Sequence, residues 1–304
     1  VSRWLALGVV YVVWGSTYLG IRFTIESMPP LLSAGARFLV AGLVLALVVG
    51  LVAGWRALRV TRAQLGTAAL LGVLLPAGGN GLVSVAEQHV PSALAALLIA
   101  SVPLYVVLLR TLSGERPPTV TFLGVAVGFA GLALLLLLGG NEGGTHGTAW
   151  WGPWLVLLAA LSWAVGTFAG TKLPVPANPF ALSALEMIAG GAALLVGSLL
   201  TGERVDLAEV TTSSWLAWSY LVVFGSLLAF SSYVFVMGKL PVSTVATYAY
   251  VNPVIAVLLG VALAHERFGV VQFAGGVLVL IAVVLVVRAE RRPRVVAEPE
   301  PVRG

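Results

Sequence analysis

Two indoles, Trp14 and Trp163, stand 149 residues apart in segments otherwise built largely of Val, Leu, Ala and Gly. Gly15, Ser16 and Thr17 follow the first, and Gly166 and Thr167 follow the second. Thr244, Tyr248 and Asn252 recur every four residues, a spacing that puts a hydroxyl, a phenol and an amide on one face of a helix. Asn80, Ser101, Tyr105, Ser232 and Tyr233 lie in equally apolar surroundings. Rings, hydroxyls and amides hold a solute by stacking and hydrogen bonding; they do not break bonds. Three prolines, Pro76, Pro103 and Pro253, accompany them, and each removes a helical hydrogen bond and frees a carbonyl one turn earlier.

Groups that would do covalent chemistry are missing from this set. An active site needs a nucleophile with a base, or clustered carboxylates and histidines, at one place. The chain has no cysteine, which excludes thiol catalysis, disulfides and thiolate metal sites. His89, His146 and His265 fall near the ends of apolar runs without ligand spacing, so no metal and no cofactor is expected. The expected partners are a small-molecule solute and a lipid bilayer.

The elements that position these residues follow from composition. Of 304 residues, 59% are hydrophobic and 10% charged, with a mean hydropathy of +1.03. Soluble domains carry about a quarter charged residues, so this chain belongs in lipid. The net charge of +5 does not indicate nucleic acid, because the basic residues are scattered singly rather than set in a stripe with aromatics. A span needs roughly 20 mainly apolar residues. Ten segments qualify: 4–21, 32–54, 65–86, 92–110, 119–138, 152–170, 179–200, 215–236, 242–264 and 269–288. No small-residue cleavage site follows the first before "MPP", so it is read as a span and not as a secretory signal. Placing the N-terminus in the cytoplasm puts thirteen Lys and Arg on the inside and three outside, so both termini are expected to be cytoplasmic. The charged, proline-rich residues 289–304 are expected to form a disordered tail against anionic lipid.

The chain repeats itself. Pro91 and Pro241 are 150 residues apart, as are Pro103 and Pro253; Glu115 and Glu266 are 151 apart, and Gly42 and Gly191 are 149 apart. So steady an offset predicts two five-span units, 1–145 and 146–288. An odd number of spans makes the second enter from the opposite side, the inverted construction of many secondary transporters, whose solute site lies near the midplane between repeats. Pro103 and Pro253 then read as two halves of one gate.

With these residues in view, "WGSTYLGIRF", "ARFLVAG", "GNGLVSVAEQHVPSALAALLIASVPL", "GERPP" and "TYAYVNPVIAVLLGVALAHERF" resemble the EamA-type drug/metabolite transporter superfamily, over nearly the whole chain and in both halves. The likeness is strongest to an inner-membrane subgroup. The resemblance implies an all-α polytopic protein of ten transmembrane helices, with two inverted five-helix repeats around a central cavity, exporting metabolites, amino acids or drugs. It also marks Glu115 and Glu266 as a family feature.

Two charges lie inside spans. Arg37 and Glu186 occupy equivalent repeat positions, but inversion sets their backbones about 12 Å apart in depth, too far for an easy ion pair. Arg37 is expected to snorkel or to bond loop carbonyls, a structural role. Glu186, as the deep acid, is the candidate proton carrier. Glu115 and Glu266 are read as structural partners of the helix ends that they follow. Trp14 and Trp163 are either packing residues or a pair of cavity-lining indoles. With so little charge inside, the expected cargo is neutral, zwitterionic or amphipathic. Uptake of a metabolite or sugar is the alternative to export, and an intramembrane enzyme or a channel ranks lower, since a channel favours a ring of like groups.

Overall fold

The computed structural model describes residues 2–115, 117–138, 149–237, 239–240, 245, 247–266 and 269–290. Among these no strand occurs, and the described residues form ten apolar helical units with a short 3-10 turn at Trp55–Leu58. The first five are α1 (Arg3–Ile25), α2 (Pro30–Val52), α3 (Arg62–Ala86), α4 (Ser92–Leu112) and α5 (Thr119–Leu138). The second five are α6 (Gly152–Gly170), α7 (Pro179–Leu200), α8 (Thr212–Met237), α9 (Tyr248–Ala264) and α10 (Val270–Glu290). Nine are long and apolar enough to cross a membrane, and α9 is shorter at 17 residues. The expected ninth span began at 242; residues 241–244 and 246 lie outside the described residues, and so does the tail from 291.

Local chemistry sets the helix ends. Thr61 and Gln64 form a reciprocal capping box at the start of α3, which satisfies two otherwise orphaned backbone donors. Asn178 accepts from the Phe180 and Ala181 N–H groups to start α7, with Pro179 at its first position. At the end of α9, His265 turns left-handed (φ 53°), and the Glu266 N–H returns to the Gly260 carbonyl at 3.1 Å. Gly114, also at positive φ (87°), precedes Glu115 in the same way.

Helix interiors break where the sequence loosens them. α3 is π-helical over Val73–Gly81, around Pro76, and α8 is π-helical over Leu221–Leu228. The Ser162 hydroxyl on α6 donates to the Leu74 carbonyl at 2.8 Å, so protein satisfies a group that the π segment leaves for lipid-free surroundings. α4 is interrupted between Ile99 and Val102, just before Pro103, and the Ser101 hydroxyl closes the break by donating to the Leu98 carbonyl at 2.6 Å.

Packing pairs equivalent helices across the halves. α2 lies along α7 and α5 along α10, while α1 meets α8 and α9 just as α6 meets α3 and α4. Small residues permit the closest crossings. A Cβ on Gly131 would stand 2.9 Å from the Gly275 carbonyl, and one on Gly275 3.1 Å from the Gly131 carbonyl. Buried Leu94, Leu97, Leu98, Leu132, Leu135, Val279 and Val283 fill the interior at that side, and Phe38, Leu45, Met187 and Leu194 fill the other. Outward-facing side chains such as Leu51, Leu137, Leu258 and Phe273 are exposed and apolar, which suits hydrocarbon.

Candidate functional site

A cavity of about 930 Å³, measured to include its open mouth, lies between the halves. Trp14, Thr17, Arg37, Asn80 and Pro103 of the first half line it, together with Trp163, Gly225, Phe230, Tyr248, Asn252 and Pro253 of the second.

One wall is aromatic. The Trp14 ring meets those of Tyr233 at 5.1 Å, Tyr248 at 5.3 Å and Phe230 at 5.8 Å, and its Nε1 donates to the Gly225 carbonyl at 3.3 Å. Edge-to-face and offset pairs at these distances are favourable because ring faces are electron-rich and ring edges are not. Trp163 approaches from the opposite repeat across Gly79, where a Cβ would stand 2.5 Å from the indole. Only glycine lets the π segment of α3 pass that ring. With its nitrogen turned to the acceptors around it, the Asn252 amide donates to the Tyr11 and Tyr248 carbonyls at 3.2 Å each. Tyr11 and Thr247 share a further hydroxyl–hydroxyl bond beside it. Pro253 has no N–H for the Ala249 carbonyl, and both residues border the cavity.

Several expected cavity residues lie elsewhere. The Ser16 hydroxyl points away from the cavity, because two residues along a helix turn the side chain by about 200°; it bonds Tyr220 at 2.6 Å and the Val13 carbonyl at 2.8 Å. Ser101 is consumed by the Leu98 carbonyl, and Tyr105 faces α5, edge-on to Phe129 at 5.8 Å. Thr167 lies one turn past Trp163 and is exposed on the helix exterior. Ser232 does not reach the lining, and Tyr233 backs Trp14 and Tyr248 instead of bordering the space. Pro76 packs against Gly190 of α7, and Thr244 lies outside the described residues.

Arg37 requires the largest correction. It neither snorkels nor bonds a loop carbonyl. It is 4% exposed, borders the cavity, and donates from Nε to the Ser226 hydroxyl at 3.0 Å, in the π segment of α8. Long arginine stems reach the surface only when nothing polar is nearer, and here the loosened α8 supplies the nearer acceptor. The cavity therefore does offer a charged group. Ion pairs among the described residues join Arg22 to Glu266, and Arg110 and Lys172 to Glu115; none joins Arg37 to Glu186. Glu186 is buried on α7, its backbone carbonyl faces Gly72 of α3, and it is not among the residues that line the cavity.

Glu266 reaches beyond its own helix. Its carboxylate accepts from the Ser92 N–H (2.9 Å), the Ser92 hydroxyl (2.7 Å) and the Ala93 N–H (3.0 Å) at the start of α4, and from Arg22 Nη1 on α1 at 2.9 Å. An anion at a helix N-terminus satisfies orphaned donors and the local dipole together. Glu203 does likewise for α2, accepting from the Leu31 and Leu32 N–H groups at 3.2 and 2.8 Å. Glu115, the repeat equivalent of Glu266, instead binds Arg110 Nε at 2.7 Å and Lys172 Nζ at 3.4 Å near the surface. Its hydrogen bond to Arg110 holds its carboxyl below the usual carboxylate range.

Sequence reasoning missed Glu87. It caps α3 just past the span, is fully buried, and neither carboxyl oxygen has a hydrogen-bond partner among the described residues. Burial holds its carboxyl well above the usual range; Glu266 raises it further, and Arg22 opposes both. Its place between "SVA" and "QHVP" resembles an ordinary span end, and nothing local in the sequence marks it as buried near Arg22 and Glu266.

Two copies of the EamA-like transporter family model match the chain, over residues 2–137 and 150–288. The chain belongs to that family and is a multi-pass plasma-membrane transporter. It is 40% identical to the uncharacterized inner membrane transporter YedA of Escherichia coli (strain K12), over 92% of this chain and 89% of that one. It is 28% identical to a probable amino-acid metabolite efflux pump of the same organism, over 91% of each chain. A probable terminal-alkyne amino-acid exporter of Streptantibioticus cattleyicolor is also 28% identical, over 93% of this chain and 92% of that one. A solved crystal structure, 22% identical, superposes with a TM-score of 0.64 over 95% of this chain and 98% of that chain, a likeness of fold.

Proposed function

We propose that the protein is a secondary transporter that exports a small zwitterionic or amphipathic metabolite by alternating access between two inverted repeats, 1–145 and 146–288. The observation that carries this reading is an asymmetry between equivalent ends. Arg22 and Glu266, with side chains 16% and 2% exposed, tie α1, α4 and α9 together across the halves. Lys172 and Glu115, 150 and 151 residues away in the opposite sense, are 54% and 37% exposed. Exchange of the two conformations by pseudo-symmetry closes the second end and opens the first.

Exchanged helix contacts, α1 with α8 and α9 against α6 with α3 and α4, support the inverted arrangement. The excess of Lys and Arg on one side supports cytoplasmic termini, which makes the Arg22–Glu266 end external and the cavity inward-facing. The names of the two amino-acid exporters support export. Flux into and out of vesicles holding the purified protein, screened against amino acids and aromatic drugs, tests the reading. A Tyr248→Ala protein that is folded is expected to lose that flux. Preference for a polyanion, or greater sensitivity to toxic analogues on overexpression, contradicts it and favours uptake or another cargo.

A further inference from the structure

Arg37 is a buried cation with no acid paired to it among the described residues. Nε is satisfied by Ser226, the guanidinium stacks near Phe38 with its Cζ 4.7 Å from the ring centre, and neither Nη1 nor Nη2 donates to an acceptor among the described residues. Nη2 lies above Gly225, 3.2 Å from where a Cβ would stand, and the same glycine carries the carbonyl that accepts from Trp14. The free edge of the guanidinium therefore opens on the cavity beside the aromatic wall.

A permanent charge held at membrane depth is costly unless an anion or water answers it. Guanidinium has five donors, and two on the Nη edge match the two oxygens of a carboxylate in a planar, bidentate pair. Phosphate fits the same donors, but a cavity with no second cation among its lining residues compensates one negative charge, not two. The rest of the cargo meets Trp14, Phe230 and Tyr248, which favours an apolar or aromatic body.

We propose that the free edge of Arg37 is a carboxylate-recognition site, and that the cargo is a small monocarboxylate or amino acid with an apolar or aromatic body. This rests on the transport reading for the carriage of that cargo, though not for its binding. Ser226 is then a positioning residue that fixes the plane of the guanidinium.

The test compares 3-phenylpropionate with its neutral amide, 3-phenylpropionamide, by titration of tryptophan fluorescence in detergent and by exchange across vesicles. Wild type is expected to bind the acid about tenfold or more tighter than the amide, as charge-assisted pairing requires. Arg37→Met is expected to remove that preference and Arg37→Lys to keep part of it; Ser226→Ala leaves the charge and weakens the acid severalfold. If Arg37→Met does not fold, the acid-to-amide ratio of wild type decides alone. Equal binding of acid and amide, binding of neither, or an undiminished preference in folded Arg37→Met overturns the proposal. Arg37-dependent binding of the acid without exchange sustains the site and overturns the transport reading instead.

Discussion

Arg22 Nη1 lies 2.9 Å from Glu266 Oε1, and through this pair the first helix of one repeat is fastened to the end of the ninth helix, in the other. The same carboxylate closes the N-terminus of α4, so three helices converge on one charge.

Removing that carboxylate takes an ion-pair partner from Arg22 and leaves two helix N–H donors without their acceptor. Glu266→Ala is expected to destabilise the protein by about 3 kcal/mol, the scale for breaking a buried pair from one side. Its equivalent, Glu115→Ala, is expected to leave the melting temperature unchanged, because that pair is solvated and screened. Thermal unfolding of both variants in detergent checks the contrast.

Glu87 gives a pH dependence with a definite sign. Its folded-state pKa is raised, so the neutral carboxyl contributes stability that is complete at pH values below the ordinary carboxylate pKa and is lost as pH rises through the raised value. Glu87→Gln mimics the neutral form and is expected to flatten the decline in melting temperature on the alkaline side. An unchanged pH profile in the variant contradicts the assignment.

Gly79 permits the approach of the α3 π segment to Trp163. Gly79→Ala puts a methyl where the indole stands, and overpacking of this kind costs about 1–3 kcal/mol. A lower melting temperature together with reduced flux is expected, measured on the purified protein and in vesicles.

His265 ends α9 at φ 53°, which strains a residue with a Cβ by about 1 kcal/mol. Glycine already fills the matching position, Gly114, in the first half. His265→Gly is expected to raise the melting temperature by a few degrees, read in the same thermal assay.

The ten helices were legible because a hydrocarbon layer demands long apolar segments, and the spans 152–170 and 179–200 coincide with α6 and α7. Pro76, Pro103 and Pro253 pointed to interrupted helices; α3 and α4 are interrupted where the first two stand, whereas α9 continues through Pro253. Within the candidate site, Trp14, Asn80, Trp163, Tyr248 and Asn252 were recoverable because polar or indole groups at mid-depth have few reasons to be there. Ser16 and Tyr105 were misplaced because helical rotation decides which way a side chain faces, and depth alone does not give it. Arg37 was misread for a different reason. Its acceptor, Ser226, is 189 residues away, and no local pattern links them. Glu87 was missed because the charges that act on it, Arg22 of α1 and Glu266 just past α9, are far from it in sequence.

The central claim is that the two ends of the cavity open in turn. A chain without cysteine accepts spin labels cleanly, at Glu26 and Leu263 for the Arg22–Glu266 end and at Ser113 and Leu173 for the Glu115–Lys172 end. Pulsed distance measurements in lipid are predicted to give two distances for each pair, with one end lengthening as the other shortens when pH or solute shifts the population. A single fixed distance at each end, under every condition in which flux is observed, contradicts alternating access.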